Sequence, residues 1–377
     1  MLHANEPGTT PMSFENADRL GPEKHIELYD PLTGLRAILV VDNTAAGPAI
    51  GGVRMAPNVT AQECFRLARA MTFKNAAAGL PHGGGKSVIV ADSSMPADAK
   101  ERLIRAFARA IGEVADYIPG PDMGTDETAM AWVRDETGRA VGLPRELGGI
   151  PLDEIGATGW GLAAAGEVAQ SYCGIALSGA RVAVQGFGAV GQHGALFLSQ
   201  KGAKLVAASD TKGTISDPAG LDVEALVALK RAGKSVVDYG QGKTGGVAAI
   251  VDVDCDIWIP AARPDVIGME NAARLKARLI LQGANIPITR EAELALHARG
   301  VLSVPDFIAN AGGVICASVE YHGGTQAAAF AVIREKIAVN TREVLERAKR
   351  EAVTPREAAE AIATDRVLRA MSFRREV

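Results

Sequence analysis

Apolar and polar positions are patterned differently in the two parts of the chain, and the change falls near residue 151. In the first part, residues 25–42 contain two β-rich runs around a Pro/Thr/Gly turn, which predict a hairpin. Thr60 and Glu63 have the spacing of a capping box and predict a helix that ends at Gly79. A short strand over Val88–Val90, an Ala-rich helix from about Pro96 to Val114 and a glycine-containing loop follow, so this part is predicted to be an α/β domain.

After residue 151, short apolar runs alternate with helical patterns. The runs RVAVQG, KLVAAS, DIWIP, RLILQG and GVLSVP predict strands of a parallel sheet, because parallel neighbours need crossover helices between them. The last fifty residues predict two helices without a further strand. The predicted fold class is α/β, with one domain over 1–148 and a second over 149–325. We expect the C-terminal helices in 326–377 to pack back on the first domain and complete it.

Composition and charge exclude several classes of protein. The chain has 377 residues, of which 47% are apolar, and this is enough for two globular domains with cores of their own. The formal net charge is −4 and no basic run follows a phosphate backbone, so nucleic acid is not an expected partner. We see neither a membrane-length apolar run nor a signal-peptide pattern and expect a cytoplasmic protein. The 4 cysteines lack metal-ligand spacing, and we expect no metal.

A glycine-rich turn in the second part predicts a dinucleotide site in a Rossmann-type domain. Gly186, Gly188 and Gly191 have GxGxxG spacing directly after an apolar strand, and Ala189 and Val190 lie between them at the start of a predicted helix. Glycine permits the tight turn and the close approach of the backbone to a pyrophosphate, which the helix N-terminus attracts.

The next predicted strand ends at Asp210, where a carboxylate can accept hydrogen bonds from both ribose hydroxyls. Its charge would repel the 2′-phosphate of NADP, so the sequence favours NAD. Ser209, Thr211 and Lys212 could nevertheless hold a phosphate, and NADP is not excluded.

Two lysines in the first part are candidates for chemistry. Lys86 follows three glycines, but the nucleotide-triphosphatase pattern GxxxxGK[ST] requires a glycine where this chain has Leu80. Lys74 shares the apolar face of the predicted helix with Met71. Each lysine alone could simply extend to solvent. Together they suit a substrate carboxylate and leave one group able to act as a base.

Asp122 is a candidate proton carrier. It lies in the loop GPDMGTD beside Pro121 and two glycines, which would hold its carboxylate in a stiff turn. Asp126 and Glu127 are instead predicted to cap the helix that follows.

Six ordered motifs resemble those of the glutamate/leucine/phenylalanine/valine dehydrogenases over residues 25–345: GPAIGGVRM, MTFKNAAAGLPHGGGKS, PGPDMGTD, GFGAVG, QGAN and PDFIANAGGV. The resemblance implies an enzyme that oxidatively deaminates an L-amino acid to its 2-oxo acid and ammonium, with hydride transfer to NAD. It also implies that the substrate domain comes first, that the cofactor domain comes second, and that the protein is a homo-oligomer assembled through the first domain.

The resemblance also implies roles for particular residues. Lys86 is similar to the catalytic lysine that activates water, and Asp122 to the acid that carries a proton to and from the substrate nitrogen. Lys74, with the backbone of Gly51 and Gly52, would bind the substrate α-carboxylate. Further implied substrate contacts are Met71, Ile50, Gly120, Asn310 and Ala317. Further implied cofactor contacts are Thr158, Thr211, Ala261, Asn285 and Asn310.

Two positions bear on the substrate. Glutamate-specific members of the family have a lysine and a serine where this chain has Ile50 and Ala317, and an apolar pocket would leave a buried carboxylate unpaired. Gly120 leaves room for a larger group. The sequence therefore favours a bulky hydrophobic amino acid of the phenylalanine, leucine or valine type, with glutamate as the alternative. Gln282 and His82 depart from the family pattern, which leaves nearby cofactor contacts open.

Two other classes of protein fit the sequence less well. The methylene-tetrahydrofolate dehydrogenase type lacks the GGGK tract and the PDMGTD loop. A non-catalytic NAD-binding regulator is a more remote alternative, because a sensor needs the glycines but not Lys74, Lys86 and Asp122.

Overall fold

The computed structural model describes residues 16–374, which divide into two compact units. The first unit comprises residues 16–72, 81–140 and 367–374, and the second comprises 73–80 and 141–366. The absence of a signal-peptide pattern was an expectation about the N-terminal residues. The first fifteen of them lie outside the described part of the chain. Within 16–374, no helix is both long and apolar enough to cross a membrane.

The first unit contains a five-stranded sheet in the order β1-β2-β4-β3-β5. The predicted hairpin is confirmed, because β1 and β2 pair antiparallel and Gly34 takes φ 73° in the turn between them. Strand β3 pairs parallel to β4 on one side and to β5 on the other. The bounds of the strands are β1 Lys24–Asp30, β2 Leu35–Asn43, β3 Ala49–Ala56, β4 Gly83–Val90 and β5 Tyr117–Pro121.

Strand β4 begins earlier than the sequence predicted. The pattern gave a strand only at 88–90, whereas the three glycines and Lys86 lie inside β4. Glycine disfavours strands in isolation, but here it permits close packing. A Cβ on Gly84 would lie 2.0 Å from the backbone nitrogen of Thr72, and one on Gly85 would lie 2.9 Å from the Tyr117 ring. Close packing against these neighbours therefore overrides the local preference.

Two of the three helices of this unit begin at predicted caps. The backbone N–H of Glu63 donates to Thr60 Oγ1 at 3.1 Å, and that of Ala129 donates to Asp126 Oδ1 at 2.9 Å. Phe107 is fully buried and anchors the apolar face of the second helix. The helices are α1 Ala61–Ala77, α2 Ala97–Ala110 and α3 Glu127–Thr137.

The second unit contains a seven-stranded sheet in the order β12-β11-β10-β6-β7-β8-β9. The five predicted strands are β6, β7, β10, β11 and β12, and they pair parallel as expected. The antiparallel edge strands β8 and β9 were not predicted. The bounds are β6 Arg181–Gln185, β7 Lys204–Asp210, β8 Gly213–Ser216, β9 Lys243–Gly245, β10 Ile257–Pro260, β11 Leu279–Leu281 and β12 Leu302–Val304.

The order of the strands reverses at β6, because the chain runs outward to β9 and then returns to β10 on the other side of β6. In open α/β sheets such a reversal leaves a crevice at the carboxyl ends of the strands, where ligands bind. The helices of this unit are α4 Ala157–Ala169, α5 Ala189–Ser199, α6 Val223–Arg231, α7 Met269–Ala272, α8 Arg290–Ala298, α9 Asp306–Ala309, α10 Gly312–Tyr321, α11 Gln326–Glu351 and α12 Pro355–Met371.

The two predicted C-terminal helices are α11 and α12. Residues 326–366 group with the second unit, since α11 packs along α4. Residues 367–374 return to the first unit, where Asn43 Nδ2 lies 3.6 Å from Met371 Sδ. The segment that completes the first unit is therefore shorter than the 326–377 expected from the sequence.

Both C-terminal helices also hold the end of α1, whose last residues group with the second unit. Arg366 donates to the carbonyls of Ala76 at 3.1 Å and Ala77 at 2.8 Å, and Lys336 donates to that of Gly79 at 2.8 Å. The last carbonyls of a helix have no partner within the helix. These two side chains supply the missing donors within the second unit.

Candidate active site

Lys86 and Asp122 form a buried ion pair in the first unit. Lys86 lies in β4 and Asp122 directly follows β5, and Lys86 Nζ donates to Asp122 Oδ2. Strand β3 runs between β4 and β5 and contributes Gly52 at this point. A Cβ on Gly52 would lie 2.7 Å from Asp122 Cβ and 3.0 Å from Lys86 Nζ. The missing side chain is therefore what lets the lysine and the aspartate meet across β3.

The turn that carries Asp122 is held by its own hydrogen bonds. The backbone N–H of Met123 donates to Asp122 Oδ1 at 2.7 Å, and the backbone N–H of Asp122 donates to Thr125 Oγ1 at 3.0 Å. Burial alone would raise the pKa of Asp122, but the charges of Lys86 and Arg54 outweigh burial and the pKa is lowered. Asp122 is thus held ionised in a fixed orientation.

Arg54 is a site residue that the sequence did not single out. Its Nη2 lies 3.4 Å from Asp122 Oδ1, and its Nη1 donates to Glu63 Oε1 at 2.6 Å. Alternate residues of a strand point to the same face, so Arg54 shares the face of Gly52. This spacing was the signal that could have identified it.

The other proposed substrate residues of the first unit lie on or beside the same sheet. Ile50 is 3% exposed within β3, and Gly120 pairs with Gly52 in the register of β5 with β3. A Cβ on Gly51 would lie 1.6 Å from the Gly85 carbonyl, so only glycine fits there. Met71 is half-buried on α1.

Lys74 lies three residues after Met71 on α1, as the predicted stripe required, and it is half-buried. It belongs to residues 73–80, which group with the second unit and whose terminal carbonyls Arg366 and Lys336 hold.

The glycine turn of the second unit joins β6 to α5. Gly186 takes φ 93°, and a Cβ there would lie 2.6 Å from Ala262 Cα. A Cβ on Gly191 would lie 2.2 Å from the Gly186 carbonyl. At Gly188, in contrast, no atom of the described residues lies within 4 Å of an added Cβ. Tight packing at two glycines and open space at the third, where the N–H groups of Ala189 and Val190 open α5, fit a dinucleotide pyrophosphate.

Asp210 ends β7, as predicted, but its carboxylate is already engaged. The Lys212 backbone N–H and the Ser235 hydroxyl donate to Oδ1 at 3.0 and 2.8 Å. The Lys230 ammonium and the Val236 N–H donate to Oδ2 at 2.8 and 3.0 Å. Burial alone would raise the pKa of Asp210, but these donors lower it to about 2. No sequence pattern connected Lys230 or Ser235 with this acid.

Asn285 and Asn310 contact each other after the strands β11 and β12. Asn310 is 4% exposed, and its Nδ2 donates to Asn285 Oδ1 at 3.0 Å and to two carbonyls of the QGAN loop at 3.3 Å. Its Oδ1 is buried without a hydrogen-bond partner in the described chain. A buried polar atom without a partner is uncommon and fits a ligand that donates to it.

The remaining proposed residues of the second unit occupy four places. Ala261 follows β10 and donates its N–H to the Gln185 carbonyl at 2.7 Å. Thr158 lies in the first turn of α4, against Gly312 and Gly313, and Ala317 is 7% exposed in α10. Thr211 is exposed in the turn after Asp210.

Arg356 of α12 is a second residue that the sequence did not single out. Its Nη2 donates to Asp306 Oδ1 at 3.0 Å and to Gln282 Oε1 at 2.9 Å. Asp306 Oδ2 in turn accepts the N–H of Ile286 at 2.9 Å. Ile286 takes φ 48°, which is unusual for a β-branched residue. Arg356 therefore holds, through Asp306, the turn that follows Asn285.

Gln282, which departs from the family pattern, fits this arrangement as a neutral bridge. Its Nε2 donates to Glu293 Oε1 at 2.7 Å while its Oε1 accepts from Arg356. A carboxylate in its place would face the Glu293 carboxylate directly.

Within residues 16–374, no group of His, Cys, Asp and Glu side chains could hold a metal ion. The cysteines are free, and Cys64, Cys255 and Cys316 are buried as small apolar residues. Burial raises the pKa of each of these three thiols to about 12.

Known proteins resemble this chain over nearly its whole length. A family model described as Glutamate/Leucine/Phenylalanine/Valine dehydrogenase matches residues 148–375, and the dimerisation-domain model of the same family matches residues 22–139. A glutamate dehydrogenase of Aeropyrum pernix is 41% identical over 355 residues, which are 88% of this chain and 85% of that protein. An NADP-specific glutamate dehydrogenase of Saccharolobus shibatae is 38% identical over 88% of this chain and 83% of its own length.

Two solved structures have the same fold. A hetero-hexameric glutamate dehydrogenase from Thermus thermophilus, in a Leu-bound form, superposes with a TM-score of 0.85 and 29% identity, covering 98% of this chain and 94% of that one. The L-tryptophan dehydrogenase of Nostoc punctiforme superposes with a TM-score of 0.73 and 27% identity, covering 93% and 97%. The family matches span both units, and with the motifs around Lys86, Asp122 and Gly186 they show that the chain belongs to the glutamate/leucine/phenylalanine/valine dehydrogenase family.

Proposed function

We propose that this amino acid dehydrogenase converts an L-amino acid and water to the 2-oxo acid and ammonium, using the Lys86–Asp122 pair. The observation that carries the proposal is the geometry of the pair: a lysine whose side chain is 7% exposed donates to an ionised aspartate, and the missing side chain of Gly52 lets the two groups meet. General acid–base catalysis needs a side chain within hydrogen-bond reach of the proton that it transfers, and here two such side chains lie together.

Each residue of the site has a role in this proposal. Lys74 and the backbone around Gly51 and Gly52 bind the substrate α-carboxylate. Asp122 takes a proton from the substrate nitrogen through a carboxylate oxygen. Lys86 Nζ orients the attacking water and, after releasing its own proton to solvent, accepts a proton from that water. A dinucleotide bound at the glycine turn supplies the hydride acceptor, and both NAD and NADP are proposed. Asn310 Oδ1 would accept a hydrogen bond from the nicotinamide end.

We propose glutamate as the first candidate for the substrate. The relatives at 38–41% identity are glutamate dehydrogenases over nearly nine-tenths of this chain. They support the alternative over the hydrophobic amino acid that the sequence favoured. Ile50 and Ala317 are only two positions of the substrate pocket, and other donors can bind the side-chain carboxylate of glutamate.

A hydrophobic amino acid remains the second candidate because of a specific observation. Ile50 is 3% exposed and Ala317 is 7% exposed, so neither offers a charge to a substrate carboxylate. Desolvating a carboxylate without a partner costs several kcal/mol or more, about a thousandfold in binding. A tryptophan dehydrogenase also shares the fold at 27% identity.

The experiment is the oxidation of NADH and NADPH in the presence of ammonium and one 2-oxo acid. The acids are 2-oxoglutarate, phenylpyruvate, 4-methyl-2-oxopentanoate and 3-methyl-2-oxobutanoate. We expect the highest kcat/KM with 2-oxoglutarate. A higher value with an apolar acid would establish the second candidate instead. Absence of turnover with every acid and both cofactors would contradict the dehydrogenase proposal and support a regulator.

We also propose a homo-oligomer. The model that matches residues 22–139 describes a dimerisation domain, which supports assembly between copies of this chain, and the Thermus thermophilus relative is a hetero-hexamer. Light scattering on the purified chain measures the mass directly, and a monomer at working concentration would contradict the proposal.

A further inference from the structure

Arg356, at the start of α12, is bonded to three other parts of the second unit. Its Nε donates to Glu293 Oε2 on α8. Its Nη2 donates to Gln282 Oε1, directly after β11, at 2.9 Å and to Asp306 Oδ1 on α9 at 3.0 Å. The guanidinium also lies over the Phe307 ring, with Cζ 5.7 Å from the ring centroid. Because a guanidinium is planar and carries its donors in a fixed fork, these contacts determine its orientation.

The arginine is buried together with the two carboxylates that it joins. The side chain of Arg356 is 14% exposed, and those of Glu293 and Asp306 are each 7% exposed. Burial alone would lower the pKa of Arg356, but the charges of Asp306 and Glu293 outweigh burial and the pKa is raised. Removal of the arginine would leave two buried carboxylates without this cation, so Asp306 would lose the group that fixes its orientation.

Asp306 uses its other oxygen atoms to hold the two loops that carry the asparagines. Its Oδ2 accepts the N–H of Ile286, the residue after Asn285, at 2.9 Å, and its main-chain carbonyl accepts the N–H of Asn310 at 2.7 Å. Ile286 takes φ 48°, which costs a β-branched residue free energy and persists only where neighbouring groups hold it. Ile286 is 51% exposed, so hydrogen bonds of its backbone hold this turn more than packing of its side chain does.

The asparagine pair depends on the position of these loops. Asn310 Nδ2 donates to Asn285 Oδ1 at 3.0 Å and to the carbonyls of Gly283 and Ala284 at 3.3 Å. These bonds determine which side-chain atom of Asn310 is left over, and it is Oδ1, which is buried without a hydrogen-bond partner in the described chain. A shift of the turn at Asn285 would rotate the Asn310 amide and move this acceptor.

We infer that Arg356 is a positioning residue for the nicotinamide end of the cofactor, which acts through Asp306 on the turn of Asn285 and on Asn310. The inference rests on the proposed function, in which Asn310 Oδ1 accepts a hydrogen bond from the nicotinamide end. Arg356 sets the geometry of that acceptor. Its effect is therefore confined to the nicotinamide half of the dinucleotide, and the adenosine half binds as before.

The test compares NADH with ADP-ribose, which has the same adenosine, pyrophosphate and second ribose but lacks the nicotinamide ring. Binding of both to the full-length chain is measured by titration calorimetry. We expect Arg356→Met to weaken NADH about tenfold, as the loss of one hydrogen bond does, and to weaken ADP-ribose less than about twofold. Equal weakening of the two ligands would overturn the inference.

Arg181→Met is the matched control for a purely structural effect. Arg181 joins Asp254 and Asp256 at the start of β6, whereas Asn285 and Asn310 follow the ends of β11 and β12 in the same sheet. Its loss also breaks an ion pair with two carboxylates. We expect this variant to lower the unfolding temperature and to leave the ratio of the two affinities unchanged.

A double-mutant cycle tests the route through Asp306. Asp306→Asn replaces one of the two side-chain acceptors by a donor, so the side chain cannot serve both Arg356 and the Ile286 N–H. If the two residues act on the same turn, Arg356→Met/Asp306→Asn binds NADH no more weakly than the weaker single variant. Additive losses would overturn the inference. Should Arg356→Met not fold, Arg356→Lys keeps the charge without the fork, and we expect it to weaken NADH more than ADP-ribose.

Hydrogen exchange of the ligand-free protein lets the inference and the proposed function fail separately. Residues 283–287 should exchange faster in Arg356→Met than in the wild type or in Arg181→Met, because the N–H of Ile286 loses its acceptor. Unchanged exchange there would overturn the inference, whatever reaction the enzyme performs. If exchange and the affinity ratio change as expected but no 2-oxo acid is aminated, the proposed reaction is wrong and the inference stands.

Discussion

Each unit contains a lysine paired with an aspartate at the end of a parallel strand, and the two pairs differ in what they leave available. In both, the pKa of the aspartate is lowered against the effect of burial. Asp210 is surrounded by four donors that fill both of its oxygens. Asp122 is more exposed, at 18% against 9%. Ion pairing alone therefore does not identify chemistry, whereas the greater exposure of Asp122 leaves its carboxylate able to meet a substrate.

Breaking the first pair is expected to have the largest effect. Lys86→Met removes the proposed base, and general acid–base groups contribute about a hundredfold to ten-thousandfold to rate. We expect kcat to fall about a thousandfold while the affinity for 5′-AMP, whose proposed site is at the glycine turn of the second unit, stays unchanged. Steady-state kinetics and calorimetry measure the two. Lys349→Met, at an exposed position of α11, is the control, and equal activity of both variants would remove Lys86 from the mechanism.

Breaking the second pair is expected to reduce stability in a pH-dependent way. The pKa of Asp210 falls from 3.8 to about 2 on folding. A lowered pKa stabilises the fold fully above pH 3.8, and this contribution is lost as the pH falls towards 2. At about 1.4 kcal/mol per unit, Asp210→Asn should lower the free energy of unfolding by about 2 kcal/mol at neutral pH.

Urea unfolding of Asp210→Asn at several pH values checks this, and the difference from wild type should shrink as the pH is lowered. Glu224→Gln, at an exposed site on α6, is the control and should change little. A difference that stays constant down to pH 3 would show that the charge of Asp210 does not stabilise the fold.

Removing the charge of Arg54, which lies beside the Lys86–Asp122 pair, is expected to have the smallest effect on activity. Arg54 lies 3.4 Å from Asp122 and helps to lower its pKa. Arg54→Met should raise the pKa of Asp122, so activity that needs the ionised carboxylate is lost at a higher pH. We expect the acidic limb of kcat/KM against pH to move up, with a smaller change on the plateau. Arg102→Met, on the exposed face of α2, should leave the limb in place. An unmoved limb in Arg54→Met would show that Arg54 does not tune Asp122.

The sequence was informative where the signal is local. Thr60, Asp126 and the turn around Gly34 could be predicted because a cap or a turn depends on residues within four positions of it. The glycine turn at 186–191 and the acid at the end of the next strand could be predicted for the same reason. Lys86 and Asp122 were identified from their residue types and from the family resemblance.

The parts that were missed depend on residues far apart in the chain. Lys230 meets Asp210 across 20 positions, and Arg356 meets Asp306 across 50. No periodicity announces such contacts, because they follow from how the helices pack on the sheet. The predicted strand was shorter than β4 because glycine locally disfavours a strand. Pairing with the neighbouring strands β2 and β3 makes these glycines part of β4, and the local sequence does not reveal that pairing. The substrate is the hardest property to predict, because Ile50 and Ala317 favour a hydrophobic amino acid whereas the similarity of the whole chain to its relatives favours glutamate.

The capping of α1 by Arg366 has a consequence for how the protein is made. Arg366 and Ala76 are 290 positions apart, and residues 367–374 belong to the first unit. On the ribosome, the strands of the first unit emerge long before these residues exist. Synthesis of the first unit therefore starts first and ends last, and α1 cannot receive its cap from Arg366 until nearly the whole chain has been made.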